Sequence, residues 1–341
     1  LIVYHSEMKC SVVILNWNGS KTLQQFLPSV LQHTQLPDVE IVVADNGSTD
    51  DSLHYLHAQP VRVIALDKNY GFAGGYNHAI EQVDAEYVVL LNSDIEVTAH
   101  WLDNMLAYMD DHPTVLAAQP KILSWHSKQQ FDQGEITAIR FEHAGAAGGM
   151  IDVLGYPYCK GRLMTHIEED YGQYNTPTPI FWASGACLLI RTEAYRQLGG
   201  LDANFFAHQE EIDLCWRLQN LYPMSVYGLP SSTVYHVGGA TLGYENPKKT
   251  FLNFRNNLLM LRKNLPMSRL WWIMIIRFFM DYLAAFQMLV TKQLPNAKMV
   301  IKARCAYHKM KKHYPSCHTS ISPMLAKRSI VWDFYVRRKR K

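Results

Sequence analysis

The sequence lacks paired cysteines at the short spacing that zinc sites and redox motifs require. Its six cysteines are scattered through 341 residues, and several lie within apolar runs. A reduced thiol in such a run behaves as a small core residue, so the pattern favours a reducing compartment. An apolar content of 48% is ample for a packed core and predicts a globular protein.

Acidic residues almost disappear after residue 261. Residues 1–261 hold 15 Lys and Arg against 28 Asp and Glu, whereas residues 262–341 hold 18 against 2. The net charge of +3 therefore hides an acidic first part and a strongly basic second part. No DNA- or RNA-binding motif accompanies the basic part, and the acidic domain ahead of it argues against nucleic acid as a partner.

The sequence also lacks an uninterrupted apolar run of membrane-spanning length. The nearest approach is 270–290, which Arg277 and Asp281 interrupt. A spanning helix with two central charges is unfavourable, whereas an aromatic-rich helix lying in the membrane interface tolerates them. With the basic residues that follow, the segment predicts contact with an anionic membrane surface, and a basic tail that only aids solubility is the alternative. No signal-peptide pattern precedes the first strand, and residues 1–7 look like an extension ahead of Met8. We therefore expect a cytoplasmic protein, peripheral on the inner face of the membrane.

Strands alternate with helices through the first hundred residues. Predicted strands at 10–15, 40–44, 61–66 and 86–91 are separated by segments with helical apolar spacing. This alternation predicts an α/β fold with a mainly parallel central sheet. A helix is expected near 99–111, another begins near Glu210, and further strands lie near 115–123, 186–191 and 232–236. The polar, glycine-rich stretch 124–178 has no pattern that assigns its structure.

Polar motifs follow the predicted strands where each strand ends. Asn92-Ser93-Asp94 brings a carboxylate to the edge of the sheet at which α/β folds bind ligands. Residues 15–18 and 45–50 end two other strands, where aromatic, amide and carboxylate groups could stack a pyrimidine and accept its imide N–H. Residues 69–77 open a helix, and their glycines would allow a phosphate or sugar oxygen to approach the backbone. Taken alone, residues 15–18 or 45–50 could equally be a structural turn, and a structural turn is also the alternative for residues 69–77.

Taken together in this order, the four motifs resemble those of the inverting family 2 glycosyltransferases with the GT-A fold, especially the rhamnosyltransferase-like branch. The resemblance covers about residues 9–260. It implies a GT-A domain over 8–260, with a nucleotide-sugar half at 8–123 and an acceptor half at 124–260. A basic helical C-terminal region would then occupy 261–341.

The resemblance also implies a donor site. Its nucleotide-sugar-binding residues would be Leu15, Trp17, Asn18, Asp45, Asn69, Gly74, Asn77, Asn92, Ser93 and Asp94. Here Asn92 replaces the first acid of the family's DxD motif, so Asp94 remains as the ionised ligand for Mg²⁺ or Mn²⁺. His236 matches a histidine that approaches the metal or the diphosphate, and it would partly compensate for the missing acid.

A second acidic segment resembles the family's catalytic helix. Aligned on Asp213 and Arg217, it puts Glu211 at the position of the catalytic base, which removes a proton from the acceptor hydroxyl. The resemblance places Trp182, Ser184, Gly185 and Glu210 on the acceptor side. An acidic first helical turn, favoured by the helix dipole, is the structural alternative for Glu211, and core packing is the alternative for Trp182. Arg255-Asn256-Asn257 resembles an Arg-Asn pair of this branch, with no role assigned.

The predicted function is transfer of a sugar from a nucleotide-diphosphate donor to a saccharide or lipid-linked acceptor, in the assembly of cell-surface polysaccharide or glycolipid. Two alternatives remain open. A sugar-phosphate nucleotidyltransferase would also use a nucleotide-binding sheet and an Asp-held metal, but its basic glycine-rich loop is not apparent after the first strand. The second alternative is a non-catalytic binding protein. It would explain why Asn92 replaces the family's usual acid and why Glu211 stands where the family has an Asp.

Overall fold

The computed structural model of the protein describes residues 8–142, 145–238, 246–315 and 328–338. The strands in these ranges are β1 (Met8–Asn16), β2 (Val39–Asp45), β3 (Arg62–Ala65), β4 (Ala85–Asn92), β5 (Ile95–Val97), β6 (Ala117–Ser124), β7 (Gly149–Ile151), β8 (Pro157–Cys159), β9 (Arg162–Leu163), β10 (His166–Ile167), β11 (Thr178–Pro179), β12 (Cys187–Arg191) and β13 (Val226–His236). The α-helices are α1 (Ser20–His33), α2 (Ser52–His57), α3 (Gly71–Ile80), α4 (Asp103–Asp111), α5 (Trp125–Asp132), α6 (Thr192–Gln197), α7 (Glu210–Leu221), α8 (Pro247–Asn264), α9 (Met267–Val290), α10 (Leu294–Met310) and α11 (Ile330–Tyr335).

Nine of the described strands form the central sheet, in the order β11-β13-β6-β12-β4-β1-β2-β3, with β5 paired to β13. β1 is parallel to β2 and β4, β2 to β3, and β13 to β6. β12 is antiparallel to both of its neighbours, β4 and β6. The predicted mainly parallel α/β sheet is therefore confirmed.

Alternate residues of β1 supply two separate cores, one on each face of the sheet. Val13 belongs to the core that contains Tyr76 of α3, whereas Val12 and Ile14 belong to the core that contains Leu23 of α1. Because successive strand side chains point to opposite faces, helices can cover both sides. A strand covered on both faces must be apolar throughout, which explains the unbroken apolar run of β4.

The stretch that had no sequence assignment, 124–178, forms α5 and a small antiparallel sheet in the order β10-β9-β8-β7. Its strands are two or three residues long. Such strands are too short to show a period in sequence, so the pattern could not reveal them. This small sheet contributes to one wall of the candidate site.

Three long helices, α8, α9 and α10, form most of the described C-terminal region, as its predicted helical character implies. The predicted domain boundary at residue 260 falls inside α8, and α10 packs against both α8 and α9. The division into domains stays a prediction. Residues 339–341 of the basic C-terminus lie outside the described residues.

Candidate active site

A cavity of about 340 Å³ lies at the ends of β4 and β13, beside the first turn of α7. It brings together residues that the sequence assigned to the donor and metal site, to the catalytic base and to the acceptor side. The predicted residues in its wall are Asn92, Asp94, Trp182, Ser184, Gly185, Glu210, Glu211 and His236. Residues that had not been predicted also line it: Phe72, Tyr158, Arg162, His208, Lys249 and Asn253.

His236 lies between two carboxylates at one side of this cavity. Antiparallel pairing of β5 with β13 sets Ile95 opposite His236, which brings the turn containing Asp94 to the imidazole. The Nε2 atom of His236 is 3.1 Å from Oδ1 of Asp94, and its Nδ1 atom is 3.4 Å from Oε2 of Glu142. Burial alone would lower the pKa of His236, but the two carboxylates outweigh it and raise that pKa to about 10.

Glu142 was not predicted from the sequence. It lies in the stretch without a pattern, and nothing near it in the chain indicates a partner for a residue at the end of β13. Its side chain is buried and belongs to the same charged group as Asp94 and His236. Asn92 adjoins this group, since its Nδ2 atom is 3.4 Å from Nε2 of His236.

Asp94 and His236 fit a divalent cation as neighbouring ligands once the imidazole is neutral, because a cation on Nε2 would displace the proton that the two carboxylates stabilise there. Two ligands bound at right angles to Mg²⁺, each at ~2.1 Å, lie ~3 Å apart, which matches their separation of 3.1 Å. The described residues hold no group of three or more His, Cys, Asp or Glu arranged around a cation position. A cation held by two protein atoms would therefore need phosphate oxygens and water to complete its shell.

The cavity also receives the first turn of α7, where two glutamates stand side by side. The Oε2 atoms of Glu210 and Glu211 are buried and make no hydrogen bond within the described part of the chain. Burial raises the pKa of Glu211 to about 7. Burial, and then the Glu211 carboxylate, raise the pKa of Glu210 well above its usual range. Glu210 is almost fully buried, whereas Glu211 retains some exposure, so Glu211 is the one that can meet a bound molecule.

Gly185 permits the chain just ahead of β12 to approach this turn closely. A Cβ atom at Gly185 would lie 3.2 Å from the Phe72 ring and 3.6 Å from Cβ of Glu211. Ser184, next to it, is held by a hydrogen bond from its own N–H to Oε1 of Gln119, at 2.9 Å. The predicted acceptor-side segment thus lies directly against Glu211.

Trp182 is packed in the core and also borders the cavity. Its Nε1 atom donates a hydrogen bond to the carbonyl oxygen of Met150 at 2.8 Å, and its ring lies on Gly149. The residue is 4% exposed, yet it forms part of the cavity wall. Packing therefore fixes the ring, and one edge remains available to the cavity.

The chain ahead of α7 turns through left-handed backbone conformations. Phe206, His208 and Gln209 have φ values of 66°, 70° and 74°. The side-chain amide of Asn256 on α8 holds this segment by donating to three carbonyl oxygens, those of Phe205, Ala207 and His208, at 2.9, 3.0 and 2.8 Å. The Arg255-Asn256-Asn257 motif thus acquires a structural role that the sequence did not indicate.

The predicted base-reading residues lie beside this cavity, at the ends of β1 and β2. Asp45 is 1% exposed; its Oδ1 accepts a hydrogen bond from Nδ2 of Asn16, and its Oδ2 accepts one from the Ser48 N–H, both at 2.9 Å. Asn18 accepts a hydrogen bond from the Thr49 N–H at 2.7 Å, while the Trp17 ring is 51% exposed. In the register of β1, Leu15 pairs with Asn92 and Asn16 pairs with Asp45. The parallel strand ends therefore form a continuous edge from Asp45 to the cavity.

The remaining predicted donor residues lie on or near α3, and not all face this edge. Asn69 caps the turn by accepting a hydrogen bond from the Gly71 N–H at 2.7 Å, and Gly74 packs on Tyr70. Asn77 lies outside the cavity, because its side chain bonds to Leu201 and to the Tyr195 hydroxyl. Ser93 lies in the turn between β4 and β5.

Comparison with known proteins gives one family match. The model of glycosyl transferase family 2 matches residues 11–199, which is more than half of the chain. An N-acetylglucosaminyl-diphospho-decaprenol L-rhamnosyltransferase of Mycobacterium tuberculosis is 30% identical over 238 residues, 66% of this chain and 75% of that protein. The low-salt glycan biosynthesis hexosyltransferase Agl10 of Haloferax volcanii is 21% identical over 262 residues, 73% of this chain and 74% of that protein.

Solved structures show the same fold. GalNAc-T7, crystallised with UDP, GalNAc and Mn²⁺, superposes with a TM-score of 0.58 at 17% identity, covering 92% of this chain and 59% of that one. The mannosyltransferase PcManGT of Pyrobaculum calidifontis, in complex with GDP-Man and Mn²⁺, gives 0.52 at 14% identity, covering 89% of this chain and 76% of that one. The GT-A fold expected from the sequence is thereby confirmed.

Proposed function

Because the chain belongs to glycosyl transferase family 2, we propose that it is an inverting enzyme. It moves a sugar from a nucleotide-diphosphate donor to a hydroxyl group of a saccharide or lipid-linked acceptor. The observation that carries the proposal is the orphaned Oε2 atom of Glu211, buried in the wall of the same cavity as Asp94 and His236.

The nucleoside of the donor binds along the edge formed by Leu15, Trp17 and Asp45. Asp45 is already held in place by Asn16 and Ser48, so it presents a fixed acceptor for the imide N–H of a base. The exposed Trp17 ring offers a surface for stacking. From this edge the diphosphate would extend toward Asp94 and His236.

Glu211 acts as the general base. Its carboxylate accepts the proton of the acceptor hydroxyl while that oxygen forms a bond to the anomeric carbon, and the bond from that carbon to the diphosphate oxygen breaks. Attack from the face opposite the leaving group inverts the anomeric configuration. Asp94 and His236 would hold Mg²⁺ or Mn²⁺, which would neutralise the charge that grows on the leaving diphosphate.

The acceptor approaches past Gly185 and Trp182, which lie next to Glu211. The relative from M. tuberculosis is named for a decaprenol-linked diphosphate sugar, so a lipid-linked acceptor at the cytoplasmic face of a membrane is the class we propose. The reaction would then belong to the assembly of a cell-surface polysaccharide or glycolipid.

A thermal-shift screen of nucleotide sugars, with and without Mn²⁺, tests the donor site, because a ligand that binds only the folded state raises the melting temperature. The best donor is then incubated with candidate acceptors, and the anomeric configuration of the product is read by NMR. Release of pyrophosphate from a nucleoside triphosphate and a sugar phosphate would instead identify a nucleotidyltransferase. Donor binding with no turnover on any acceptor would favour a binding protein.

A further inference from the structure

The 24-residue helix α9 has its two central charged side chains, Arg277 and Asp281, on the inside and most of its aromatic side chains on the outside. Its buried residues form one narrow stripe at intervals of three or four: Leu270, Ile273, Arg277, Asp281 and Ala285. Both charges that interrupt the apolar run of the sequence lie in this stripe. A helix of a water-soluble surface normally shows the reverse arrangement, with its apolar face inward.

The buried charges of α9 are satisfied inside the protein. Asp281 lies 3.4 Å from Nε of Arg277 and 2.5 Å from Nη1 of Arg304 on α10. Arg277 also donates to Oδ1 of Asn257 at 2.5 Å, and its guanidinium lies 4.0 Å from the centre of the Tyr156 ring. Because these groups are paired with one another, they place no charge on the outer surface of α9.

The outer surface of α9 is apolar over most of its length. Phe279, Phe286 and Val290 are 67%, 61% and 66% exposed. Other exposed apolar residues of the helix are Trp271, Ile275, Ile276, Phe278, Tyr282, Leu283 and Leu289. An exposed apolar patch of this extent marks an interaction surface.

The neighbouring residues identify the partner as anionic. Exposed lysines lie in the connection between α9 and α10, on α10 and just beyond it: Lys292, Lys298, Lys302, Lys309, Lys311 and Lys312. Between residues 262 and 332 the sequence contains one acidic residue, Asp281, and it is buried. A second copy of the chain would meet this face with the same lysines around a twofold axis, which is repulsive. Anionic lipid headgroups complement the lysines, while the acyl region accommodates the aromatic side chains.

We infer that α9 lies in the plane of an anionic membrane, with its Phe279 and Phe286 face in the headgroup and acyl boundary and the lysines of α10 on lipid phosphates. This inference deepens the proposed function and rests on it for the lipid-linked acceptor. Among the described residues, α9 is the one helix long and apolar enough to cross a membrane. Its inward stripe packs against the protein through Arg277, so an in-plane position satisfies both faces.

The membrane-facing helix is directly connected to the candidate active site. Arg277 bonds to Asn257, whose Nδ2 atom donates to Oε1 of Gln209 at 3.2 Å. Gln209 immediately precedes Glu210 and Glu211 at the start of α7. Docking of α9 therefore fixes the position of the membrane relative to the proposed base through two side-chain contacts.

The test is flotation of the full chain with vesicles of phosphatidylglycerol and phosphatidylcholine, compared with phosphatidylcholine alone. We expect binding to the mixed vesicles, and at least a tenfold loss of binding in the double variant Phe279→Glu, Phe286→Glu. The matched control is Phe131→Glu, Leu221→Glu, which adds the same charge at exposed apolar residues elsewhere and should bind like the wild type. Replacement of Lys298 and Lys302 by Glu should weaken binding to the anionic vesicles selectively.

Several results would overturn the inference. One is a wild-type chain that does not float with anionic vesicles, and another is equal loss of binding in the α9 and control variants. A dimer in sedimentation velocity that the α9 substitutions dissociate, without vesicle binding, would assign the face to a second copy. Quenching by lipids brominated near the bilayer centre that appears only in the variant Phe279→Trp would indicate a spanning helix, because residue 279 lies at the middle of α9.

Donor binding and transfer to an acceptor with a short, water-soluble chain are measured on the same variants. We expect both to remain within about twofold of the wild type in the α9 variant, since its substitutions lie outside the cavity. Vesicle binding without transfer by any variant would refute the proposed function and leave the membrane face intact. Transfer without vesicle binding would refute the membrane-facing role of α9 and leave the proposed function intact.

Discussion

Oδ1 of Asp94 lies 3.1 Å from Nε2 of His236, although the two residues follow different strands of the sheet. The pairing of β5 with β13 produces this contact, and it brings an imidazole to the carboxylate that remains after the substitution of Asn92 for an acid. The pair thus offers one carboxylate and one imidazole to the cation that we propose.

Asp94→Asn should raise the Mn²⁺ concentration needed for half-maximal donor binding by at least about tenfold, because it removes the one carboxylate of the Asn92-Ser93-Asp94 motif. Calorimetric titration of donor at several Mn²⁺ concentrations measures the change. The matched variant Asn92→Asp adds a carboxylate next to His236 and should lower the requirement. Unchanged metal dependence in both variants would contradict the assignment.

Glu211→Gln should reduce transfer by about 10²- to 10⁴-fold, the range expected for loss of a general base. Donor binding should remain nearly intact, since the substitution preserves the shape of a side chain on the acceptor side. Single-turnover transfer and donor titration separate the two effects. Loss of donor binding, with transfer reduced only in proportion, would show that Glu211 is not the base.

The same carboxyl group predicts a pH dependence. Burial raises the pKa of Glu211 from 4.5 to about 7, so kcat/KM should increase with pH and level off above about 7. The folded state binds this proton more tightly than the unfolded state, so the contribution of Glu211 to stability falls as pH rises from 4.5 through 7. Glu211→Gln should therefore raise the Tm more at pH 8 than at pH 5. An equal effect at both pH values would exclude a raised pKa.

Asn256→Ala should lower kcat by about tenfold or more with a smaller effect on the KM for the donor, because it frees the three carbonyl groups that hold the turn ahead of Glu211. Asn264→Ala is the control, since Asn264 is also a buried asparagine of α8 but bonds to Asp213 and Met260. Steady-state kinetics and thermal unfolding are measured for both. If both variants lose the same amount of kcat and the same amount of stability, Asn256 contributes only general packing.

Asp281→Asn should destabilise the protein by about 3–5 kcal/mol, because it leaves the buried guanidinium groups of Arg277 and Arg304 without a counter-charge. Urea unfolding at neutral pH measures the change. Asp333→Asn is the control, since Asp333 pairs with the exposed Arg337 at 3.5 Å and should contribute less than about 1 kcal/mol. Similar values for the two variants would show that the Asp281 cluster is not a structural unit.

The sequence was sufficient to predict the parallel half of the sheet. Strands buried on both faces, such as β4, read as long apolar runs, and each ends at a polar motif because parallel strands deliver their carboxyl ends to one edge. This regularity alone predicts that Asp45, Asn92 and Asp94 lie on a common edge. The prediction of Glu211 follows from the resemblance of residues 205–217 to the family's acidic helix, because an acidic first turn alone is also explained by the helix dipole.

Local patterns could not predict contacts between distant segments. The strands of the small sheet are too short for a period, and Glu142 meets His236 through the pairing of whole elements. Asn256 reaches the turn ahead of α7 from another helix.

By itself, the sequence determined the α/β alternation, the strand-end motifs and the charge asymmetry, because these depend on neighbours along the chain. Only the tertiary structure decided that Arg277 and Asp281 point inward, since their neutralisation requires Arg304 from α10 and Asn257 from α8. It likewise decided that Glu142 joins His236. Both contacts form when elements far apart in sequence pack together. A buried charge is stable only beside a partner, and no local sequence pattern shows which distant residue that partner is.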